Sequence, residues 1–285
     1  MKLRTWLTER LGIRYPIVQG AFHRFGTSEI AGPVSAAGGL GMITAHNFPS
    51  PEELRVDIRR ARAMTANPIA VNFTVMPATA GKATKAGRPC DNWHPWLEAT
   101  LDEGIRAIFT SAYDGSPIGQ RAKEAGAVWV HKCATIRHAV SASKKGADAI
   151  VIVGIEGGGF KNPNQNTTFV NITALRRVIP LPLIAAGGIG DGRGVAAAIA
   201  MGACGVYMGT AFMATKECPI SNRWKQVIRD QDITDPKYHG RVLNLGGGEQ
   251  IIHSMASGVI DRVKTVREFI DDMILEMNEA CNALK

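Results

Sequence analysis

Short apolar runs alternate with longer amphipathic segments along most of the chain. The runs are Ile17–Gln19, Gly41–Thr44, Ile69–Phe73, Ala107–Thr110, Ala127–His131, Ala149–Val153, Leu183–Ala186 and Gly205–Met208. Their near-continuous apolar character marks strands buried on both faces of a parallel sheet. Eight such strands separated by helical segments predict an α/β fold, a (β/α)8 TIM barrel. The helices carry recognisable punctuation. Ser50-Pro51-Glu52-Glu53 combines an N-cap, a first-turn proline and a capping-box glutamate. Glycine junctions such as EAGA (124–127) and KGAD (145–148) close helices before the next strand.

Two stretches exceed what a minimal barrel needs. Thr74–Trp93, rich in Gly, Ala, Lys and Pro, reads as an active-site cover or a mobile segment. The other follows the eighth strand, so the expected division is a barrel over 1–217 and a helical extension packed on it over 218–285. The last helix opens on a Thr265/Glu268 capping box. Val266, Phe269, Ile270, Met273, Met277 and Ala280 share one of its faces, for packing against the barrel or a second subunit of a homo-oligomer.

Composition narrows the picture. At 285 residues and 45% hydrophobic, the chain suits one large α/β domain or two small ones. The N-terminal MKLRTWLTERLG lacks the apolar core of a signal peptide, and no apolar run approaches the roughly 18 residues of a membrane span. The scattered cysteines (Cys90, Cys133, Cys204, Cys218, Cys281) form no CxxC pair or metal spacing, which suits reduced thiols in a cytoplasmic protein. A net charge of +8 is dispersed among acidic residues, favouring an anionic small ligand over nucleic acid.

Chemistry concentrates in two glycine-rich segments, AAGGIGDGRG (185–194) and GVYMGTAFMATKE (205–217). Gly187 and Gly188 leave the backbone uncovered after the seventh strand, and Asp191 can cap the following helix. Gly209 and Thr210 repeat the arrangement one strand later. Bare amides at two neighbouring strand-to-helix turns make a phosphate cradle, and this is the place where such barrels commonly hold one. Other strand ends deliver PIVQGAFHRFG (16–26), Asn72 in NPIAVNF, His131 and Lys132 in VWVHKC, and the turn GIEGGGF (154–160).

Taken together and in order, PIVQG, SAAGGLGMIT, IAVNF, HKC, GIEGGG, AAGGI and MGTAF resemble the nitronate monooxygenase (2-nitropropane dioxygenase-like) family, over roughly residues 3–217. That family includes FMN-dependent enoyl-acyl-carrier-protein reductases and NADH:quinone reductases. The resemblance implies non-covalent FMN over the barrel mouth. Gly187, Gly188, Gly209 and Thr210 would hold its phosphate, and Ala21 and Phe22 would lie beside the ring. Asn72 and Lys132 would contact the flavin or ribityl chain, with Lys132 stabilising anionic reduced flavin. Gln19 is a polar neighbour, and Gly158 joins the cofactor-binding positions.

One departure stands out. The family's Glu-x-Gly-Gly-His segment here reads Glu156-Gly157-Gly158-Gly159-Phe160. Phenylalanine cannot exchange a proton, so proton abstraction from a nitroalkane cannot be assigned there. His23 and His131 are the candidate replacements as acid or base, each suited to proton transfer near neutrality. Glu156 is a weaker candidate, and His94, His138 and His253 have no motif around them. Phe160, Lys161 and Asn162 open a loop dense in amides and hydroxyls, either a solvated turn or a substrate pocket for carbonyl or thioester oxygens. The leading expectation is an FMN-dependent oxidoreductase acting by hydride transfer on a small organic or acyl-thioester substrate, with the hydride supplied by transiently docked NAD(P)H or by the substrate itself. Nitronate oxidation by dioxygen and a flavin-binding protein without turnover are the alternatives.

Overall fold

A computed structural model describes residues 3–75, 92–159, 166–243 and 253–283. After helix α1 (Trp6–Leu11) the chain runs β1 (Ile17–Gln19), α2 (Ser28–Ala36), β2 (Gly41–Thr44), α3 (Pro51–Met64) and β3 (Ile69–Val75). It continues with α4 (His94–Asp102), β4 (Ala107–Ala112), α5 (Ser116–Glu124), β5 (Val128–Cys133), α6 (Ile136–Lys144) and β6 (Ala149–Val153). Then come α7 (Thr168–Leu175), β7 (Leu183–Ala186), α8 (Gly192–Ala200), β8 (Gly205–Met208) and α9 (Thr210–Met213). Helices α10 (Asn222–Arg229), α11 (Pro236–Leu243) and α12 (Val266–Ala283) complete the order.

The strands pair in parallel around a ring, β1-β8-β7-β6-β5-β4-β3-β2, which is the TIM barrel that the alternation predicts. The ring closes between β1 and β2 through a single bridge, Val18 with Leu40. Gln19 completes that seam. Its backbone N–H donates to the Leu40 carbonyl (2.9 Å), and its side-chain Oε1 accepts from the Met42 N–H (2.8 Å). Side-chain alternation fills the interior with Val18, Met42, Ala70, Phe109, Val130, Val151 and Ile184, while Leu7 and Leu11 of α1 join them from below.

Three strands run two residues beyond their apolar runs. The runs stop at Phe73, Thr110 and His131, whereas β3, β4 and β5 end at Val75, Ala112 and Cys133. Polar residues (Thr74, Ser111, Lys132) interrupt the hydrophobic pattern there without interrupting the ladder.

The start of α3 is built as expected, with Ser50 accepting from the Glu53 N–H. At the last helix, the Thr265 N–H donates to Glu268 Oε2 (2.8 Å) and the Glu268 N–H to Thr265 Oγ1 (3.2 Å). Helix α12 buries Val266, Phe269, Ile270, Met273 and Met277 against the barrel's own α8. Contact is closest at Gly192, where a Cβ would run into the Met273 carbonyl. No helix among the described residues is long and apolar enough to cross a membrane.

Candidate active site

A cavity of about 420 Å³ opens at the C-terminal ends of the strands. That is within the roughly 300–1,000 Å³ of small-molecule sites, and it is the face where barrel enzymes work. A larger cavity of about 620 Å³, rimmed by Arg10, Arg62 and Arg106, lies at the opposite end and contains none of the sequence-selected residues.

One half of the mouth cavity is made of backbone. Gly187 (φ +98°) and Gly188 (φ +71°) are both left-handed. A Cβ on Gly188 would lie 2.8 Å from Glu156 Cγ, and one on Gly187 would lie 3.1 Å from the Gly157 nitrogen. Gly209 and Thr210 line the same end and open α9, whose N-cap has no side-chain hydrogen bond. The neighbouring start of α8 is already filled. Asp191 accepts from the Gly194 N–H (2.7 Å) and Glu276 from the Gly192 N–H (2.8 Å). An anion is therefore left to the Gly187–Gly188 turn and the Gly209–Thr210 step. Ser254, absent from the sequence selection, also lines this end. Its N–H and hydroxyl both bond Thr210 Oγ1 (2.8 and 2.9 Å). Gly158 lines the cavity between the halves. Glu156 turns away from it, its Oε1 accepting from the Thr168 N–H (2.9 Å) and so tying the β6 turn to α7.

The other half is made of side chains. The strand register aligns Thr74, Ser111 and Lys132 across β3, β4 and β5, and all three line the cavity. Ser111 donates to Thr74 Oγ1 (3.3 Å). Lys132 has no hydrogen-bond or ion-pair partner among the described residues, and burial pushes its ammonium below the ordinary lysine range. Asn72 sits one layer deeper, in register with Phe109 and Val130, and is 1% exposed. It donates to Thr74 Oγ1 (3.2 Å) and does not line the cavity. Gln19, used in the β1–β2 seam, does not line it either. Tyr207, on β8, forms part of the floor and holds Ala21 in place by accepting its N–H (2.6 Å). Phe22 lies beside it.

Of the two candidate histidines, His23 reaches the cavity and His131 does not. Successive side chains of a strand face opposite ways, so Lys132 pointing in sends His131 out. His131 is 4% exposed and lies in a separate space of about 380 Å³ on the outer side of β5. Trp129 Nε1 donates to Thr110 Oγ1, and the same oxygen lies 2.8 Å from His131 Nδ1, an arrangement that suits a neutral ring. Burial lowers the His131 pKa to about 4. A second histidine at the cavity, His46, follows β2 and was not selected from the sequence. Phe160, Lys161 and Asn162 lie outside the described residues.

The nitronate monooxygenase family model matches residues 4–243. The chain belongs to that family. It is 34% identical over 228 residues to a hydroxy-methyl-oxo-octahydro-indene-carboxyl-CoA dehydrogenase of Mycobacterium tuberculosis, covering 79% of this chain and 60% of that protein. A probable nitronate monooxygenase of Staphylococcus aureus is 31% identical, with 80% of this chain and 73% of that one covered. The chain thus spans about 60% of the length of the mycobacterial dehydrogenase. Among solved structures, FabK from Thermotoga maritima superposes with a TM-score of 0.83 at 27% identity, covering 99% of this chain and 98% of its own. A nitroalkane oxidase from Streptomyces ansochromogenes shares the fold (TM-score 0.80, 21% identity, 96% and 98% covered).

The FMN implied by the resemblance can be tested against the site. The glycine end suits a phosphate, because Gly187, Gly188 and Gly209 put bare backbone on the lining beside the uncapped start of α9. The far end offers the Lys132 ammonium and a buried Thr44 Oγ1, both without a hydrogen-bond partner among the described residues. Both ask for a polar, partly anionic ligand between them, and the residues fit the group.

Proposed function

We propose that the chain is an FMN-dependent oxidoreductase acting on an acyl-thioester or similar small organic substrate. The observation carrying this reading is the division of the mouth cavity, with bare glycine backbone at one end and the Lys132 ammonium at the other. FMN, when bound, supplies two-electron redox chemistry. Gly187, Gly188, Gly209 and Thr210 hold its phosphate, while Ala21, Phe22 and Gly158 border the ring. Lys132 meets negative charge that builds up at the mouth, in a site where burial strengthens its field. His23, at the rim, accepts or returns the substrate proton. The thioester class is supported by the CoA dehydrogenase relative, and NAD(P)H is the proposed co-substrate.

Nitronate oxidation is the second reading, supported by the staphylococcal relative. It is disfavoured by Phe160, which removes the polar residue expected after the β6 turn. Anaerobic titration of the purified protein with NADH, NADPH and a 3-hydroxyacyl-CoA separates these readings. Bleaching of bound FMN by a pyridine nucleotide or the thioester supports the first. Oxygen uptake on propyl-2-nitronate without any such bleaching would replace it with the second. A flavin that no donor bleaches points to a binding protein without turnover.

A further inference from the structure

The mouth cavity carries two imidazoles where the sequence supplied reason to choose one. His23 and His46 both line it, their ring centroids 6.0 Å apart and their planes 23° from parallel. They come from different elements, the loop after β1 and the short 3-10 turn Ala45–Asn47 after β2.

These two elements are fastened into one unit. Asn47 Oδ1 accepts from the Arg24 N–H (2.8 Å), and Asn47 Nδ2 donates to the carbonyls of Phe22 (3.1 Å) and Gly26 (3.3 Å). The Thr44 N–H donates to the Gly26 carbonyl (2.9 Å). Gly26 allows this approach, since a Cβ there would lie 2.5 Å from Thr44 Oγ1. Within the loop, Arg24 is held at φ +69°, left-handed for a residue with a side chain. Such strain persists only where the surroundings over-determine it, and it gathers at functional sites. Here the asparagine clamp imposes it on the residue next to His23. A solvated loop has no need of this arrangement. A loop that must present one imidazole beside another does.

We propose that His46 is the partner of His23 in a two-imidazole proton relay, with Asn47 as the positioning residue that sets their separation. The inference rests on the reading of His23 as the acid or base. When substrate is oxidised, its proton bonds to His23 as its bond to the substrate breaks. His23 shares that proton with His46 through one bridging water, and the exposed His23 releases it to solvent. The substrate's electron pair leaves by the redox reaction already assigned to the site. In the reducing direction the protons run backwards. The relay takes over the work of the histidine that Phe160 replaces. Charged groups on the same loop and in the cavity lining are Arg24 and Lys132, both cations that disfavour double protonation of the pair. The lining of a small adjoining space behind His46 (Phe73, Val75, Trp93, Ile118) adds no charge.

The test is an NMR titration of ¹⁵N-histidine-labelled holoenzyme as wild type, His46→Gln, His23→Gln and Asn47→Ala. Coupled imidazoles titrate as a pair, so each glutamine variant should raise the apparent pKa of the histidine that remains. Asn47→Ala should bring the two curves towards independent behaviour. With the 3-hydroxyacyl-CoA used above, His23→Gln should cost about 10²–10⁴ in turnover and His46→Gln a smaller factor of about ten, with kcat rather than KM affected. Titrations of His23 that are identical in wild type and His46→Gln overturn the relay, even if His23→Gln is inactive. If His23→Gln keeps its rate and pH profile, the acid–base assignment of His23 falls first. Because His23 lies on an exposed loop, its variant provides the reciprocal measurement should His46→Gln fold poorly.

Discussion

The two halves of the mouth cavity are built on opposite principles. Around β7 and β8 the wall is backbone, with Gly187, Gly188 and Gly209 leaving no side chain in the way. Around β3, β4 and β5 it is a layer of side chains (Thr74, Ser111, Lys132) set in register by the ladder. Gly187 and Gly188, at positive φ and tight against Gly157 and Glu156, tolerate no side chain. The side-chain half can be changed atom by atom, and each change should read out as charge or hydrogen bonding rather than as shape.

The largest effect is expected from Gly188→Leu. A Cβ there meets Glu156 Cγ at 2.8 Å, and φ +71° is strained for leucine. The purified variant should lose FMN by more than about 100-fold in affinity, read from the ratio of flavin to protein absorbance, because the collision with Glu156 displaces the turn on top of a strain of order 1–3 kcal/mol. Retention of full FMN would break the comparison at its backbone half.

Lys132→Met removes the cation and leaves most of its bulk. A hydrogen bond to a charged group is worth about 1.5–3 kcal/mol, so FMN should bind roughly 10–100-fold more weakly. Loss of the cation should also lower the cofactor's reduction potential, measured by dye equilibration. An unchanged potential and affinity would place the ammonium away from the ring.

His131 tests the outward side of the same strand. Its pKa is lowered from an ordinary 6.5 to about 4 by burial, so the unfolded chain binds the proton more readily between those values. Its contribution is fully present above about pH 6.5 and is lost as the pH falls towards 4, a cost on the order of 2 kcal/mol at pH 5. His131→Gln should flatten the acid limb of a denaturation profile by that amount, while the limb due to His253, lowered to about 4 by burial, remains. The pH profile of turnover should not change. A lost catalytic limb would return His131 to the chemistry.

Smaller still is the contrast between neighbouring layers. Ser111→Ala should weaken FMN by about 2–10-fold, the worth of one neutral hydrogen bond. Asn72→Ala, one layer down, should lower stability and leave FMN affinity unaltered, as isothermal titration and thermal melting would show. The reverse pattern would mean that the mouth layer had been misplaced.

The barrel was legible because two-sided burial writes strands as apolar runs and helices as capped amphipathic segments. The glycine half of the site was legible for a related reason. Consecutive glycines after a buried strand have few uses, and a phosphate cradle is one of them. On the side-chain half, Lys132 was legible and its layer mates Thr74 and Ser111 were not. Ending β3 at Phe73 made Asn72 look like its tip, whereas the ladder continues through Thr74 to Val75. The alternation rule, applied outward from Lys132, would have excluded His131. Ser254 gave no local signal, since it reaches the cavity through Thr210, distant in sequence, whereas His46 lies two residues past the end of β2, where the strand-end rule also points.

The most direct test of the central claim is the cofactor content of the purified chain. Flavin released by denaturation should prove to be FMN, at about one per chain, and apoprotein should take up FMN in strong preference to riboflavin, which lacks the phosphate that we assign to the glycine half. Apoprotein that binds riboflavin as tightly as FMN, or a colourless protein that takes up neither, would contradict it.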